Sequence, residues 1–333
     1  MKNLFVACLL MTGTMLVHAQ DTTAGRALTM AEYAKTPTFL VKDLDKDTYV
    51  KFDNTYILDK SEFSKPYFIT GDDGKKKRID LYKLILKEGR IDLGIMIFYS
   101  TETGKRYVAC MPSYKADGKV WEKYFTDIHS IEKEEPFFVL KLSYVLSKEL
   151  GFQLYKAQAA GQGKDVNKER ETGTYGNDIC FPGDMQVTMA DGSVRDLREV
   201  KTGDRVVTVD PATRTAATVT VKALTVHEAK NYAITRLLLL EATRGTGDRD
   251  IFLHSKWLES TPNHPMVTLQ GEKKAGDLKE GDALVCRDGQ AGAYRTYIVW
   301  YKTEAAGGMQ KVYNIVASGG STLVLNGVVV SQK

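Results

Sequence analysis

After Phe181 the chain becomes a succession of short strand-type runs, "MQVTMA", "DRVVTVD", "TVTVKALTV", "HPMVTL", "RTYIVWY", "KVYNIV" and "STLVLNGVVV", set apart by Gly, Asp and Pro turns. That pattern predicts an all-β unit. It contains an echo: "DLREVKTGDRVVTVD" at 196 to 210 and "DLKEGDALVCRD" at 277 to 288 both run Asp-Leu, then Gly-Asp, then an apolar strand. Such self-similarity predicts two related β halves joined by a pseudo-two-fold relation. The alternation starts only after Cys180, and "AQAAGQGKDVNKERETGTYGNDI" just upstream reads as linker. Cys180 therefore sits on a seam, with a linker at 161–179, an N-terminal domain at 20–160 and the β unit at 180–333.

A chain of 333 residues is long enough for two domains. Its 46 basic against 42 acidic residues leave a net charge of +4, which gives no electrostatic case for nucleic acid as a partner. The opening "MKNLFVACLLMTGTMLVHAQ" has Lys2, an apolar run from Leu4 to Val17 and small residues before a cut after Ala19, so residues 1–19 read as a signal peptide of an exported protein. Cys8 lies near the start of that run rather than after it, and lipoprotein anchoring is not expected. No later stretch has the roughly 18 apolar residues of a membrane span. Removing the signal leaves Cys110, Cys180 and Cys286, an odd number, so at least one thiol is expected free or in an intermolecular bond. No CxxC pair is present, and neither a metal nor another cofactor is expected.

The region 20–160 reads as α+β. "DTYVKFDNTYIL" and "IDLGIMIFYS" are strand-like, whereas Leu142, Val145, Leu146 and Leu150 fall near helical spacing with Gly151 as a stop. "DLDKDT" at 43 to 48 opens like a calcium loop, but Thr48 and Asn54 stand where Gly and Glu belong, so it reads as an acidic turn. "KKKR" at 75 to 78 reads as a solvated hairpin tip. His129 stands near Asp127 without a nucleophile motif, and the half offers no catalytic constellation.

Three separated motifs in the β unit carry a resemblance. Cys180 followed by Phe-Pro-Gly-Asp and "DGSVRDLREVKTGDRVVTVD", then "STPNHPMV" with Thr261 and His264, then "KVYNIVASGGSTLVLNGVVV", resemble in order the blocks of the Hint domains of Hedgehog autoprocessing modules and inteins. The resemblance implies that Cys180 attacks the carbonyl of Ile179, turning an amide into a thioester. It implies that His264 gives a proton to the leaving nitrogen and that Thr261 holds the scissile peptide, where backbone strain can store about 1 to 3 kcal/mol. Cys286 reads as core, and His227 and His254 as surface or core residues.

The closing block departs from the family. Aligned on Asn326, "NGVVVSQK" puts Ser331 where a penultimate His belongs and Gln332 where a terminal Asn belongs, followed by Lys333 rather than Ser, Thr or Cys. Asn314 replaces an Asp common after the Val-Tyr of that block, and an amide is no base at neutral pH. Splicing in cis is not expected, nor is sterol transfer, since no sterol-recognition extension follows. The expected activity is single-turnover cleavage at Ile179-Cys180, resolved by water, a small thiol or amine, or a Lys of another protein, with release of the N-terminal domain. Oxidation of Cys180, for example with Cys110, would stop it. The alternative is a non-catalytic Hint scaffold on an exported binding or structural protein; an enzyme in the N-terminal domain, matured by the Hint module, ranks below it.

Overall fold

The computed structural model describes residues 26–148, 179–230, 233–287, 292–305 and 309–332. The expected signal segment 1–19 and the expected linker, apart from Ile179, lie outside them, as do Leu150 and Gly151.

The N-terminal half carries α1 (Met30–Tyr33), β1 (Tyr49–Phe52), β2 (Tyr56–Asp59), β3 (Tyr67–Thr70), β4 (Lys76–Leu86), β5 (Ile91–Ser100), β6 (Arg106–Pro112), α2 (Gly118–Glu132) and α3 (Phe138–Lys148). The long strand β4 is the hub, pairing antiparallel with β2, β3 and β5. Asp117 caps α2, its carboxylate accepting from the backbone nitrogens of Lys119 and Val120 at 2.9 and 3.0 Å. Helix α2 buries Val120, Trp121, Tyr124 and Ile128, and α3 buries Phe138, Leu142, Val145 and Leu146, so each presents one apolar stripe to the sheet. The expected α+β character is what the chain shows.

Two charged motifs do different work from each other. In the acidic turn, Asp43 accepts from the backbone nitrogens of Asp45 and Lys46, and Asp45 holds Arg78 with two bonds of 2.6 and 3.0 Å. The "KKKR" run is a solvated hairpin tip only at Lys75 and Lys76, which are exposed where β3 turns into β4. Lys77 is 1% exposed, paired with Asp73 and 3.8 Å from Glu135, because β4 turns it inward under α3. Arg78 also grips Asp80, which is fully buried beside Lys60 at 2.5 Å.

The C-terminal half is all β: β7 (Phe181–Pro182), β8 (Gln186–Thr188), β9 (Val194–Asp196), β10 (Arg205–Val209), β11 (Ala216–Lys230), β12 (Ile234–Arg244), β13 (Asp250–Ser260), β14 (Pro265–Thr268), β15 (Gly271–Lys274), β16 (Ala283–Arg287), β17 (Tyr294–Ala305), β18 (Met309–Ala317), β19 (Thr322–Leu325) and β20 (Val328–Ser331). The internal echo is structural. Gly203 N bonds Val221 O and Val221 N bonds Asp204 O at 2.9 and 2.8 Å, and Gly281, Val299 and Asp282 repeat both bonds at the same lengths. The Asp204 carboxylate accepts from Lys201 N and pairs with Arg195, as the Asp282 carboxylate accepts from Lys279 N and pairs with Lys273.

The two halves share one sheet. Strand β13 pairs antiparallel with β12 on one edge and parallel with β3 on the other, through Asp250↔Phe68, Ile251↔Ile69 and Phe252↔Thr70. Strand β12 sits with Leu237 and Leu239 in the C-terminal core and with Leu238 and Leu240 in the N-terminal core. Period-two alternation thus divides a run of four leucines between two cores.

Candidate active site

Cys180 sits at the start of β7, which pairs with β18 through Phe181↔Tyr313 and Pro182↔Val312. It is 1% exposed and packs with Ile234 and Val312. Asn314 follows Tyr313 in β18, and its carbonyl accepts from Thr225 Oγ1 at 3.2 Å.

Strand β13 ends at Ser260 and delivers Thr261 to Cys180. The Thr261 nitrogen donates to the Cys180 carbonyl at 2.9 Å, and the Cys180 nitrogen donates to Thr261 Oγ1 at 3.0 Å. Thr261 Oγ1 also lies 3.3 Å from the Cys180 carbonyl oxygen, to which it donates. The nitrogen of the Ile179-Cys180 peptide is therefore held by a threonine hydroxyl inside the protein. Ile179 itself is half-buried in irregular backbone.

The turn from Thr261 to His264 is closed by its own backbone. His264 N bonds Thr261 O at 3.0 Å, and the repeat's second 3₁₀ turn, Ala275–Asp277, ties it down through Ala275 N to His264 O and Gly276 N to Pro262 O, both 2.8 Å. This closure puts His264 inside, 1% exposed, with its ring centroid 4.0 Å from that of Phe181, the residue after Cys180. His264 Nε2 is 3.1 Å from the Ser331 carbonyl. A carbonyl oxygen only accepts, so Nε2 carries the proton and Nδ1 bears the lone pair. Nδ1 is buried and makes no hydrogen bond in the described structure. Burial pushes the imidazole down to about 3, against a smaller opposing pull from the Ser331 carbonyl, and His264 is neutral at pH 7.

The remaining residues singled out in the sequence fall into place around this site or away from it. Ser331 gives its carbonyl to His264 while its hydroxyl donates to Glu272 at 2.8 Å. Gln332 N bonds Ser321 O at 2.8 Å. Asn326 is a turn residue with φ 47°; its side-chain oxygen accepts from Gln186 N at 2.7 Å and its amide donates to Trp257 O at 3.0 Å. Cys286 is fully buried in the C-terminal core, where desolvation pushes its thiol up. Cys110 lies in the N-terminal core, pushed up to about 12 by burial, in a different cluster from Cys180. His227 is exposed on β11. His254 is neither plain surface nor core, since its Nδ1 meets Asp72 of the other half at 3.2 Å. Among the described residues no group of three or more His, Cys, Asp or Glu could hold a metal ion. The Ser331 carbonyl and the Phe181 ring are the site groups that sequence reasoning missed.

The family profile described as the Hint module matches residues 168–331. No curated protein matches the chain. Similar solved structures include a bacterial intein-like domain from Clostridium thermocellum, 23% identical, with 46% of this chain and 99% of that one covered and a TM-score of 0.36. A DnaB intein from Synechocystis sp. PCC 6803 is 15% identical, with 46% and 98% covered and a TM-score of 0.34. An intein from a hyperthermophile is 17% identical, with 46% and 99% covered and a TM-score of 0.37. The profile spans the residues that bring Cys180, Thr261 and His264 together, and the C-terminal half of this chain is a Hint module.

Proposed function

We propose that the chain cuts itself between Ile179 and Cys180. The observation that carries this reading is the 3.0 Å bond from the Cys180 nitrogen to Thr261 Oγ1, because that nitrogen is the leaving group of the reaction. We assign the proton relay to the buried Nδ1 of His264, which the turn after Thr261 carries inside beside Phe181.

The tautomer sets the order of events. His264 begins as a neutral base, so it first takes the Cys180 thiol proton at Nδ1 while the sulfur adds to the Ile179 carbonyl carbon. The carbon–nitrogen bond then breaks, and Nδ1 returns the proton to the nitrogen, which becomes the α-amine of Cys180. A thioester joins Ile179 to Cys180 Sγ. Positioned proton transfer of this kind contributes about 10² to 10⁴ in rate. Water, a small thiol or an amine, including a Lys of another protein, then attacks the thioester and frees the Ile179 acyl group from sulfur.

Resolution by an outside nucleophile follows from the closing block. Ser331 offers no imidazole and its hydroxyl is committed to Glu272. Gln332 would have to close a six-membered ring. Residues 1–19 make this an exported protein in our reading, on the strength of Lys2 and the apolar run that follows it.

One observation favours a second reading. Cys180 is buried against Ile234 and Val312, the setting of a small core residue. On that reading the Hint module is a scaffold for the N-terminal half. Intact-mass measurement of wild type beside Cys180→Ala, with and without a small thiol, separates the two. A thiol-accelerated fragment ending at Ile179 in wild type alone is expected; uncut chains in every sample would leave the scaffold.

A further inference from the structure

We propose that the two halves stay together as one non-covalent body when the 179/180 bond is cut, with β3 and the N-terminal core remaining docked on β12 and β13. Cleavage then creates two chain ends and changes what is attached to Ile179, without freeing the N-terminal half.

The joining surface is written into β12. Leu238 and Leu240 face away from the C-terminal core and belong to the N-terminal one, together with Ile251 and Leu253 of β13. Lifting the N-terminal half away would turn these four buried side chains to water on a contiguous face, an apolar patch of the kind that marks an interaction site. The same step would uncover the edge of β13, whose backbone groups pair with β3.

Polar contacts along that edge fix its register. The Asp72 carboxylate accepts from Ser255 N at 2.9 Å and Ser255 Oγ at 2.8 Å and meets His254. Arg249 donates to the Lys65 carbonyl at 2.9 Å, and its own carbonyl accepts from Phe68 N at 3.0 Å. Each of these joins residues far apart in sequence, and none involves the peptide that is cut. The surface is therefore indifferent to whether the chain is continuous.

This takes the position of the cut from the reading above, but its test does not depend on that chemistry. A protease site is placed within residues 161–178 of full-length Cys180→Ala, which cannot cut itself by the thiol route, and the chain is cut to completion. The two fragments are expected to co-elute on size exclusion at about 1 µM, as two chains with a non-covalent affinity below that value do. Separate elution would overturn the proposal. The same cut chain carrying Asp72→Ala and Arg249→Ala is expected to exchange its N-terminal fragment against a labelled one about tenfold faster, from weakened polar contacts at the edge. An unchanged exchange rate would overturn the assignment of the β3–β13 edge. If wild type fails to cut itself, the proton relay falls while this result stands.

Discussion

At the scale of residues, His264 sets the sign of the pH dependence. In the unfolded chain an imidazole titrates near 6.5, and in the folded chain burial pushes this one down to about 3. Between these values the unfolded chain holds a proton that the folded chain refuses. The contribution to stability is complete above about pH 6.5 and is lost as pH falls toward 3, on the order of 4 to 5 kcal/mol in all. Urea unfolding at stepped pH should therefore show a shallower decline through that window in His264→Gln; parallel curves for the two proteins would refute a neutral buried imidazole. Thr261→Val keeps the shape and removes the hydroxyl bonded to the Cys180 nitrogen. A lost bond to a buried group costs roughly 1 to 3 kcal/mol, so thioester formation, trapped by a small thiol, should slow about 10- to 100-fold. A rate equal to wild type would remove Thr261 from the site. That Cys180, Thr261 and His264 come together was legible in the sequence because the resemblance rests on the identity of their side chains. The Ser331 group that fixes the His264 tautomer was not, because it is a backbone carbonyl and any residue supplies one.

At the scale of elements, the hairpin between β19 and β20 decides where that carbonyl lies. Its turn residues Asn326 and Gly327 both have positive φ, 47° and 74°, the signature of the two-residue turn that matches strand twist. A Cβ on Gly327 would also come within 2.8 Å of Lys256 Nζ. Gly327→Ala should cost roughly 1 to 3 kcal/mol by thermal denaturation, as a non-glycine residue held in the left-handed region does. If it is neutral, the turn is not strained. The reading of "NGVVVSQK" as one closing motif passed over this turn, because alignment to a family end obscures the Asn-Gly hairpin signal inside it. A similar loss befell "KKKR", where charge alone suggested solvent. Asp73 lies only four residues from Lys77, but Glu135 before α3 and Lys60 after β2, which complete the burial of Lys77 and Asp80, are remote in sequence and outside a local window. Asp80→Ala leaves two cations facing an empty site and should destabilise the N-terminal core by about 3 to 5 kcal/mol.

At the scale of the whole molecule, the sequence suggested two bodies on a string, and the chain shows one sheet and interlocked cores. Strands β12 and β13 escaped pattern reading for the same reason that they join the halves. The run Leu237 to Leu240 has no polar face, since each face meets a different core, and without alternation there is no strand signal to read. Two domains that share such a strand should not unfold independently. Losing the N-terminal core would strand Leu238 and Leu240, at roughly 1.5 to 3 kcal/mol for each leucine exposed, and would uncover the β13 edge as well. Denaturant unfolding of the intact Cys180→Ala chain should consequently be one cooperative transition. Trp121 is buried in the N-terminal core and Trp257 lies on β13, whereas Trp300 packs on the N-terminal core against Tyr144, so a variant keeping only Trp121 and one keeping only Trp257 report the two halves separately. Coincident midpoints and slopes are expected from both reporters. Two separated transitions would mean that the shared strand does not couple the cores, and the Hint module would then stand as an independent folding unit joined to the N-terminal half.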